Sequence, residues 1–308
     1  MLAAFRTPLL FALSLSAFAA DKDYNGRWNL TVKNEPRGRV WWLEVNDAGS
    51  KKMSGRFVGA PGGGMDAIPE ISVDHKELHW AFERTGKKLT YVASIQSGKL
   101  VGTQSIDGKP TMTFVGERAP EIRDRDDERW KPTTPVELFN GRNLEGWETT
   151  FPGRSIEWTT TNGITKNGFK ASDIRTTETF WNFELHAEYR YEKGSNSGIG
   201  LRGRYEVQIE DTAGKPINVH SHGALYSRIA PAVQAAKAPG EWQTLDVRLV
   251  GRIVTIKLNG QVTVDHKIIE GPTAMCFNPD EAMPGPIAVQ GDHGIVEFRK
   301  LTITPLTR

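Results

Sequence analysis

One cysteine, Cys276, stands in 308 residues, so no internal disulfide can form and a structural thiolate metal site is excluded. Nor is there a surplus of charge, because 39 basic residues face 37 acidic ones for a net +2 with His neutral. That balance points away from nucleic acid and from anionic membranes as partners. Helical periodicity is missing as well, and only residues 231–238 hint at a helical turn. Gly62-Gly63-Gly64 lacks the lysine and hydroxyl residue of a phosphate loop and reads as a flexible connection. Without cross-links or helices, the chain must be held by the cores of β-structure, and its length suffices for two.

The only extended apolar run is at the front. In MLAAFRTPLLFALSLSAFAA, Arg6 precedes an apolar stretch over residues 8–18 and an Ala17-Phe18-Ala19 pattern. This reads as a secretory signal cleaved near Ala19, too short for a comfortable membrane span; a buried N-terminal strand or a retained anchor are the alternatives. No cysteine follows to take a lipid. Removing residues 1–19 takes away only Arg6, leaving 38 basic residues against 37 acidic. The expectation is a soluble periplasmic or secreted bacterial protein, not inserted in a membrane.

Residues 20–118 read as a small antiparallel β-barrel domain. Candidate strands fall at residues 27–33, 40–45, 54–57, 77–82, 88–95, 99–105 and 111–115, with turns at Asp47-Ala48-Gly49, Ser97-Gly98 and Asp107-Gly108-Lys109. The barrel loosely resembles lipocalin-like barrels. Trp28, Trp41, Trp42 and Trp80 either fill its core or line a ligand cavity. Residues 119–135, APEIRDRDDERWKPTTP, are charged and proline-bearing and read as a solvated linker. Its aspartates lack the glycine and glutamate of a calcium loop.

From residue 136 the strands lengthen. Asn259-Gly260 between residues 253–258 and 261–266 marks a hairpin, and residues 242–250 alternate as a sandwich strand with one wet face. The run FWNFELHAEYRYEKGSNSGIGLRGRYEVQIED, from Phe180, is the most informative. In it Tyr205, Val207 and Ile209 alternate against Glu206, Gln208 and Glu210, as Phe183, Leu185, Ala187 and Tyr189 do against Glu184, His186, Glu188 and Arg190. One face is core and the other a worked surface. Gly194-Ser195-Asn196-Ser197-Gly198 suits a turn or bulge where the backbone must approach something closely.

These strands come with Leu138-Phe139-Asn140-Gly141-Arg142-Asn143-Leu144-Glu145-Gly146-Trp147, Gly223-Ala224-Leu225-Tyr226, Pro239-Gly240-Glu241-Trp242, Leu258-Asn259-Gly260, Gly285-Pro286-Ile287-Ala288-Val289-Gln290-Gly291-Asp292-His293-Gly294 and Val296-Glu297-Phe298-Arg299. In this order they resemble the DUF1080 family, the 3-keto-disaccharide hydrolase domain, over about residues 136–306. The resemblance implies a concanavalin-like jelly-roll β-sandwich in an all-β chain. It also implies cleavage of a glycoside already oxidised at carbon 3, where a base removes the acidified hydrogen on carbon 2 and the glycosidic oxygen leaves. Such chemistry needs a base, a group for the enolate oxygen and an acid for the leaving group. Glu206 is the expected base and His293 a proton donor or ketone ligand, with Glu188 a further catalytic carboxylate. Asn196, Arg202, Gln208, Asp211, Tyr226, Gln290 and Arg299 are the expected sugar contacts, two of them, Arg202 and Arg299, also able to stabilise negative charge.

Direct hydrolysis by paired carboxylates stays open, with Glu206 and Glu188 or Glu206 and Asp211 as the pair. So does a non-catalytic glycan-binding module on the same fold. No cofactor is expected; a calcium ion near Glu206 and Asp211 is conceivable, but two acids do not define a site. His220-Ser221-His222 has the form of a metal pair without a third ligand and reads as loop histidines. Arg190, Arg202, Glu206 and Arg299 each have an alternative as cross-strand ion pairs or structural clamps. Ile199-Gly200-Leu201 and Lys300 depart from the family pattern, the first at a position able to alter the pocket. Exposed strand edges leave homo-oligomer formation open.

Overall fold

The computed structural model describes residues 20–59, 63–151 and 153–308; the expected signal, residues 1–19, and Gly62 lie outside them. In the front half the short apolar and β-branched runs form β1 (Gly26–Lys33), β2 (Trp41–Asn46), β3 (Ser54–Val58), β4 (Met65–Ala67), β5 (Glu70–Asp74), β6 (Glu77–Arg84), β7 (Lys87–Gln96), β8 (Lys99–Ile106) and β9 (Lys109–Arg118). They make one antiparallel sheet in the order β4-β3-β2-β1-β9-β8-β7-β6-β5. β4 and β5 add to the expected strands; they are part-buried edges of the sheet.

Inward residues of this sheet close on aromatic side chains. Trp80 stacks on Tyr91 at 4.8 Å, and Trp41 and Phe57 meet Tyr91 edge-on. Trp28 belongs to the same core. Trp42 points the other way, because residues adjacent in a strand face opposite sides of the sheet. It packs on the second half of the chain: the Arg228 guanidinium lies 4.1 Å from its ring centroid, and a Cβ on Gly271 would meet its Nε1 at 2.3 Å.

The remaining strands are β10 (Lys131–Pro132), β11 (Val136–Glu137), β12 (Trp147–Thr149), β13 (Trp158–Thr161), β14 (Ile164–Asn167), β15 (Ile174–Thr176) and β16 (Phe183–Tyr191). They continue as β17 (Asn196–Leu201), β18 (Tyr205–Glu210), β19 (Gln243–Val250), β20 (Ile253–Leu258), β21 (Gln261–Ile268), β22 (Ala288–Val289) and β23 (Val296–Thr307). One sheet runs β13-β14-β23-β16-β19-β20-β21, with β10 and β11 also on β23, and the other runs β12-β15-β22-β17-β18. Stacked, they form the concanavalin-like jelly roll, an all-β sandwich filled by the inward residues of both sheets. The β20–β21 hairpin turns on Asn259 and Gly260 with φ of 50° and 78°, as a two-residue turn of this hand requires. Residues 231–238 form no helix, and the only helix among the described residues is the 3₁₀ turn Asp21–Tyr24.

Residues 119–135 are less solvated than their charge suggests. Asp124 accepts hydrogen bonds from Trp181 Nε1 (2.7 Å) and Asn182 Nδ2 (2.9 Å), and Asp126 takes Arg248 Nε and Nη2 at 3.0 and 2.9 Å. Their partners are distant in sequence, so local composition does not reveal them. Further bonds fasten the two halves together. Fully buried Glu281 accepts from Asn29 of β1 (2.9 Å) and from Tyr205 (2.8 Å) and Arg252 (2.9 Å) of the sandwich, and Arg56 pairs with Glu270 at 2.8 Å.

Candidate active site at the junction of barrel and sandwich

β18 is buried on both faces. Tyr205, Val207 and Ile209 enter the sandwich core, while Glu206 and Gln208, on the opposite face, are only 3% and 1% exposed because the front half lies over them. The edge of β18 is completed by residues 223–226: Gly223 N–H donates to Gln208 O (2.9 Å), Gln208 N–H to Ala224 O (3.0 Å) and Tyr226 N–H to Glu206 O (2.9 Å). Glu206 N–H also donates to Thr273 Oγ1 at 3.0 Å. With its backbone fixed, the Glu206 carboxyl lies over Gly198 of the neighbouring β17, where a Cβ would approach Oε1 to 2.3 Å. Only glycine leaves that space, which is the close approach expected of this segment.

A cavity of about 570 Å³ lies between this face and the front half. Glu206, Gln208, Asn196, Tyr226, Gln290 and His293 line it from the sandwich, and Arg37, Arg39, Val40, Trp41, Gln104 and Met112 are among its lining from the front half. Burial pushes the Glu206 carboxyl up to about 8, with Arg39 pulling the other way, Asp173 adding to the rise and His293 opposing it. Gln208 Oε1 and Gln290 Oε1 are buried without a hydrogen-bond donor, a state that a ligand hydroxyl relieves.

The loop before β2 reaches into the sandwich. Glu35 Oε2 accepts from the Arg37 and Arg39 backbone N–H groups, both at 2.7 Å, which shapes the turn so that both guanidinium groups face the partner domain. Arg39 Nη2 pairs with Asp173 Oδ2 at 2.9 Å and its Nη1 donates to Ala274 O at 2.5 Å. Asp173 is fully buried and also accepts the Gly291 N–H at 3.0 Å; burial raises its carboxyl while Arg39 works against the rise. Arg37 lies 3.4 Å from Asp292, which accepts a hydrogen bond from His293 Nδ1. That bond raises the His293 imidazole, against the effect of burial. Burial works against the Asp292 charge, but His293 and the two arginines hold its carboxyl below the usual range.

Of the expected site residues, the fold brings Glu206, His293, Asn196, Gln208, Tyr226 and Gln290 together and leaves four elsewhere. Glu188 and Arg299 stand on β16 and β23 in the other sheet, on its outer face, paired at 2.6 Å with Arg299 over Trp242; the hydrogen bond from Arg299, with lesser help from His186, holds Glu188 below its ordinary value against the opposing effect of burial. Arg202 is fully buried scaffold, donating to Trp181 O, Gly251 O and Asn182 Oδ1. Asp211 accepts the Gly194 N–H at 2.9 Å and closes the turn between β16 and β17. His222 is core: its Nδ1–H donates to Glu210 O (3.1 Å), its Nε2 accepts from Tyr189 (2.5 Å), and burial takes its pKa down to about 4. Among the described residues no cluster of three or more His, Cys, Asp or Glu side chains is suited to a metal.

Arg37, Arg39, Asp173 and Asp292 escaped the sequence reading. The adjacency of Asp292 and His293, and the paired arginines of Glu35-Pro36-Arg37-Gly38-Arg39, were the available signals, but nothing local says that a barrel loop meets a sandwich cleft.

A jelly-roll sandwich that sets a buried carboxyl, an imidazole and several amides around one cavity defines a carbohydrate-active, glycoside hydrolase-like protein. The chain belongs to the family of 3-keto-alpha-glucoside-1,2-lyase-like domains, whose profile matches residues 134–304. Among solved structures, it is similar to a candidate glycosyl hydrolase from Parabacteroides distasonis at 27% identity, over 60% of this chain and 94% of that one, with a TM-score of 0.48. A second from the same organism is 25% identical over 56% of this chain and 100% of its own, with a TM-score of 0.45. Fluorescent protein UnaG is 15% identical over 32% of this chain and 100% of its own, with a TM-score of 0.25. Comparison with curated proteins gives no match.

Proposed function

We propose that the protein cleaves glycosides oxidised at carbon 3 of the sugar, by elimination followed by addition of water. The observation that carries this reading is Glu206, a carboxyl buried in the cavity wall and pushed up to about 8, which lies near the operating pH expected of an efficient general base. Ionised, it removes the hydrogen from carbon 2, and the electron pair of that bond forms an enolate with the neighbouring ketone. The enolate oxygen is stabilised by the positive charge of Arg37 and Arg39 and by amide N–H donors at the cavity. When the carbonyl reforms, the bond from carbon 1 to the glycosidic oxygen breaks and leaves a double bond between carbons 1 and 2. His293, whose imidazole proton the bond to Asp292 favours, delivers a proton to the departing oxygen, and water then adds at carbon 1.

Hydrolysis by paired carboxylates has less support. Glu188 and Asp211, the expected partners of Glu206, lie on the outer sheet face and in a backbone turn, while Asp292 is engaged by His293. A cavity carboxyl pushed up to about 8 by burial favours an enzyme over a binding module. The test is to incubate residues 20–308 with 3-keto-glucosides and their unoxidised parents, following ultraviolet absorbance and products for wild type and Glu206→Gln. Turnover of keto sugars alone, lost in the variant, supports elimination; glycan binding that survives the substitution without any turnover overturns it. The apolar N-terminal stretch supports export of the mature chain to the periplasm or medium, to be checked by mass spectrometry of the secreted N-terminus.

A further inference from the structure

The walls of the Glu206 cavity differ in chemistry. On the sandwich side stand Asn196, Gln208, Gln290 and His293 around Glu206; the front half adds Glu35, Arg37, Arg39 and Gln104, the last bonded to Tyr91 and Thr111, beside an apolar group of Val40, Trp41, Val58, Ile106 and Met112. Trp41 belongs to the barrel's own core, and Ile106 and Met112 are part-buried beside it, one at the end of β8 and the other in β9. The cavity thus extends from the polar face of β18 to the inner, apolar side of the curled front sheet. Trp41 also holds a buried indole N–H with no hydrogen-bond partner.

We propose that the barrel wall is a leaving-group subsite for an apolar, aromatic aglycone, the sugar being held against Glu206. This inference rests on the elimination reading for the identity of the sugar, but the subsite itself is defined by geometry. Against the apolar group a second sugar would press its hydroxyls on aliphatic and thioether side chains and lose hydration there, Gln104 being engaged by Tyr91 and Thr111. An aromatic aglycone suits the same wall: its ring packs on Met112 and Trp41, and a phenolic or ether oxygen is an acceptor for the unpaired indole N–H. A volume of about 570 Å³ falls in the range of sites that enclose a ligand of sugar plus ring system. The front domain is then a specificity element that selects what is attached to the sugar.

The test uses the intact chain and two independent readouts. The first is binding of 2-naphthol, followed by tryptophan fluorescence and calorimetry, to wild type, Met112→Lys, Ile106→Lys and Glu206→Gln. Both lysine positions are part-buried and therefore tolerant, and near-ultraviolet circular dichroism verifies their folding. Weakening by about tenfold or more in both lysine variants, with Glu206→Gln far less affected, is the expected result. The second readout is the ratio of kcat/KM for the 3-keto derivative of 2-naphthyl glucoside to that for a 3-keto-disaccharide, which should favour the naphthyl compound and fall in the lysine variants. Failure of 2-naphthol to bind wild type, or binding unmoved by both substitutions, overturns the subsite. Naphthol binding without turnover of any keto sugar overturns the elimination chemistry instead and leaves the subsite standing.

Discussion

Two polar faces of the sandwich begin from the same sequence design and end in opposite environments. On β16, Glu184, His186, Glu188 and Arg190 alternate with core residues, and on β18, Glu206 and Gln208 do the same. The β16 face remains wet: Glu188 finds Arg299, Arg190 finds Glu297 at 2.6 Å, and His186 finds Asp246 at 2.7 Å, all on an outer surface. The β18 face is roofed by the barrel, and its carboxyl is displaced toward neutrality by loss of water. Alternation therefore tells which side chains share a face but not what covers the face, and here the cover separates surface ion pairing from a buried carboxyl with a raised proton affinity.

The sharpest way to break this comparison is to make the same substitution on both faces. Glu206→Gln should lower kcat for a 3-keto-glucoside by about a hundredfold or more, whereas Glu188→Gln should leave it within about twofold; equal losses would erase the distinction. Next in size is Arg39→Ala, which leaves the Asp173 carboxyl buried and unpaired. Chemical denaturation should show a loss of about 3–5 kcal/mol, and an unchanged midpoint would mean that the loop before β2 does not hold the halves together.

Acidity gives a third test. If ionised Glu206 is the base, kcat/KM should climb with pH toward about 8, and a profile flat across that value would remove it from the role. For stability, the folded Glu206 keeps its proton where the unfolded carboxyl, near 4.5, has released it, so stability falls as pH rises from 4.5 to about 8. His222 acts oppositely, adding stability as pH rises from about 4 to 6.5, because its folded form stays neutral. Between pH 6.5 and 8, then, denaturation midpoints of wild type should decline and those of Glu206→Gln should stay more level. The smallest effect belongs to the wet face: Arg299→Ala loses the pair with Glu188 and the contact over Trp242, and thermal melts should register less than about 1 kcal/mol.

Much of the architecture was legible because it is written locally. The Asn259-Gly260 turn, the alternation of β16, β18 and β19, and the turn residues between the front strands all announce themselves within ten residues or so. Glu206 and Gln208 were legible for the same reason, as polar side chains alternating with core residues in strand sequence, whereas Gln290 and His293 came only with the family resemblance. Glu188 carried the same signal and was placed in the site by it, since pattern alone cannot separate the two sheets; Arg299 was placed there by the resemblance and stands on the other sheet as well. Arg39 and Asp173 were not legible, because their pairing crosses from one half of the chain to the other and neither segment is unusual by itself. Asp124 and Asp126 were hidden by the same distance: a charged run looks solvated until Trp181, Asn182 and Arg248 are folded against it.

The roof over Glu206 also bears on how the chemistry is inherited. The family match, residues 134–304, contains the glutamate and the histidine, yet Arg37, Arg39 and the apolar cover are supplied by residues outside it. The proton affinity of Glu206 is therefore a property of the boundary between two halves. A relative that kept the same sandwich under a different front half would carry the same residue with another proton affinity, with no change in the side chains of the sandwich itself.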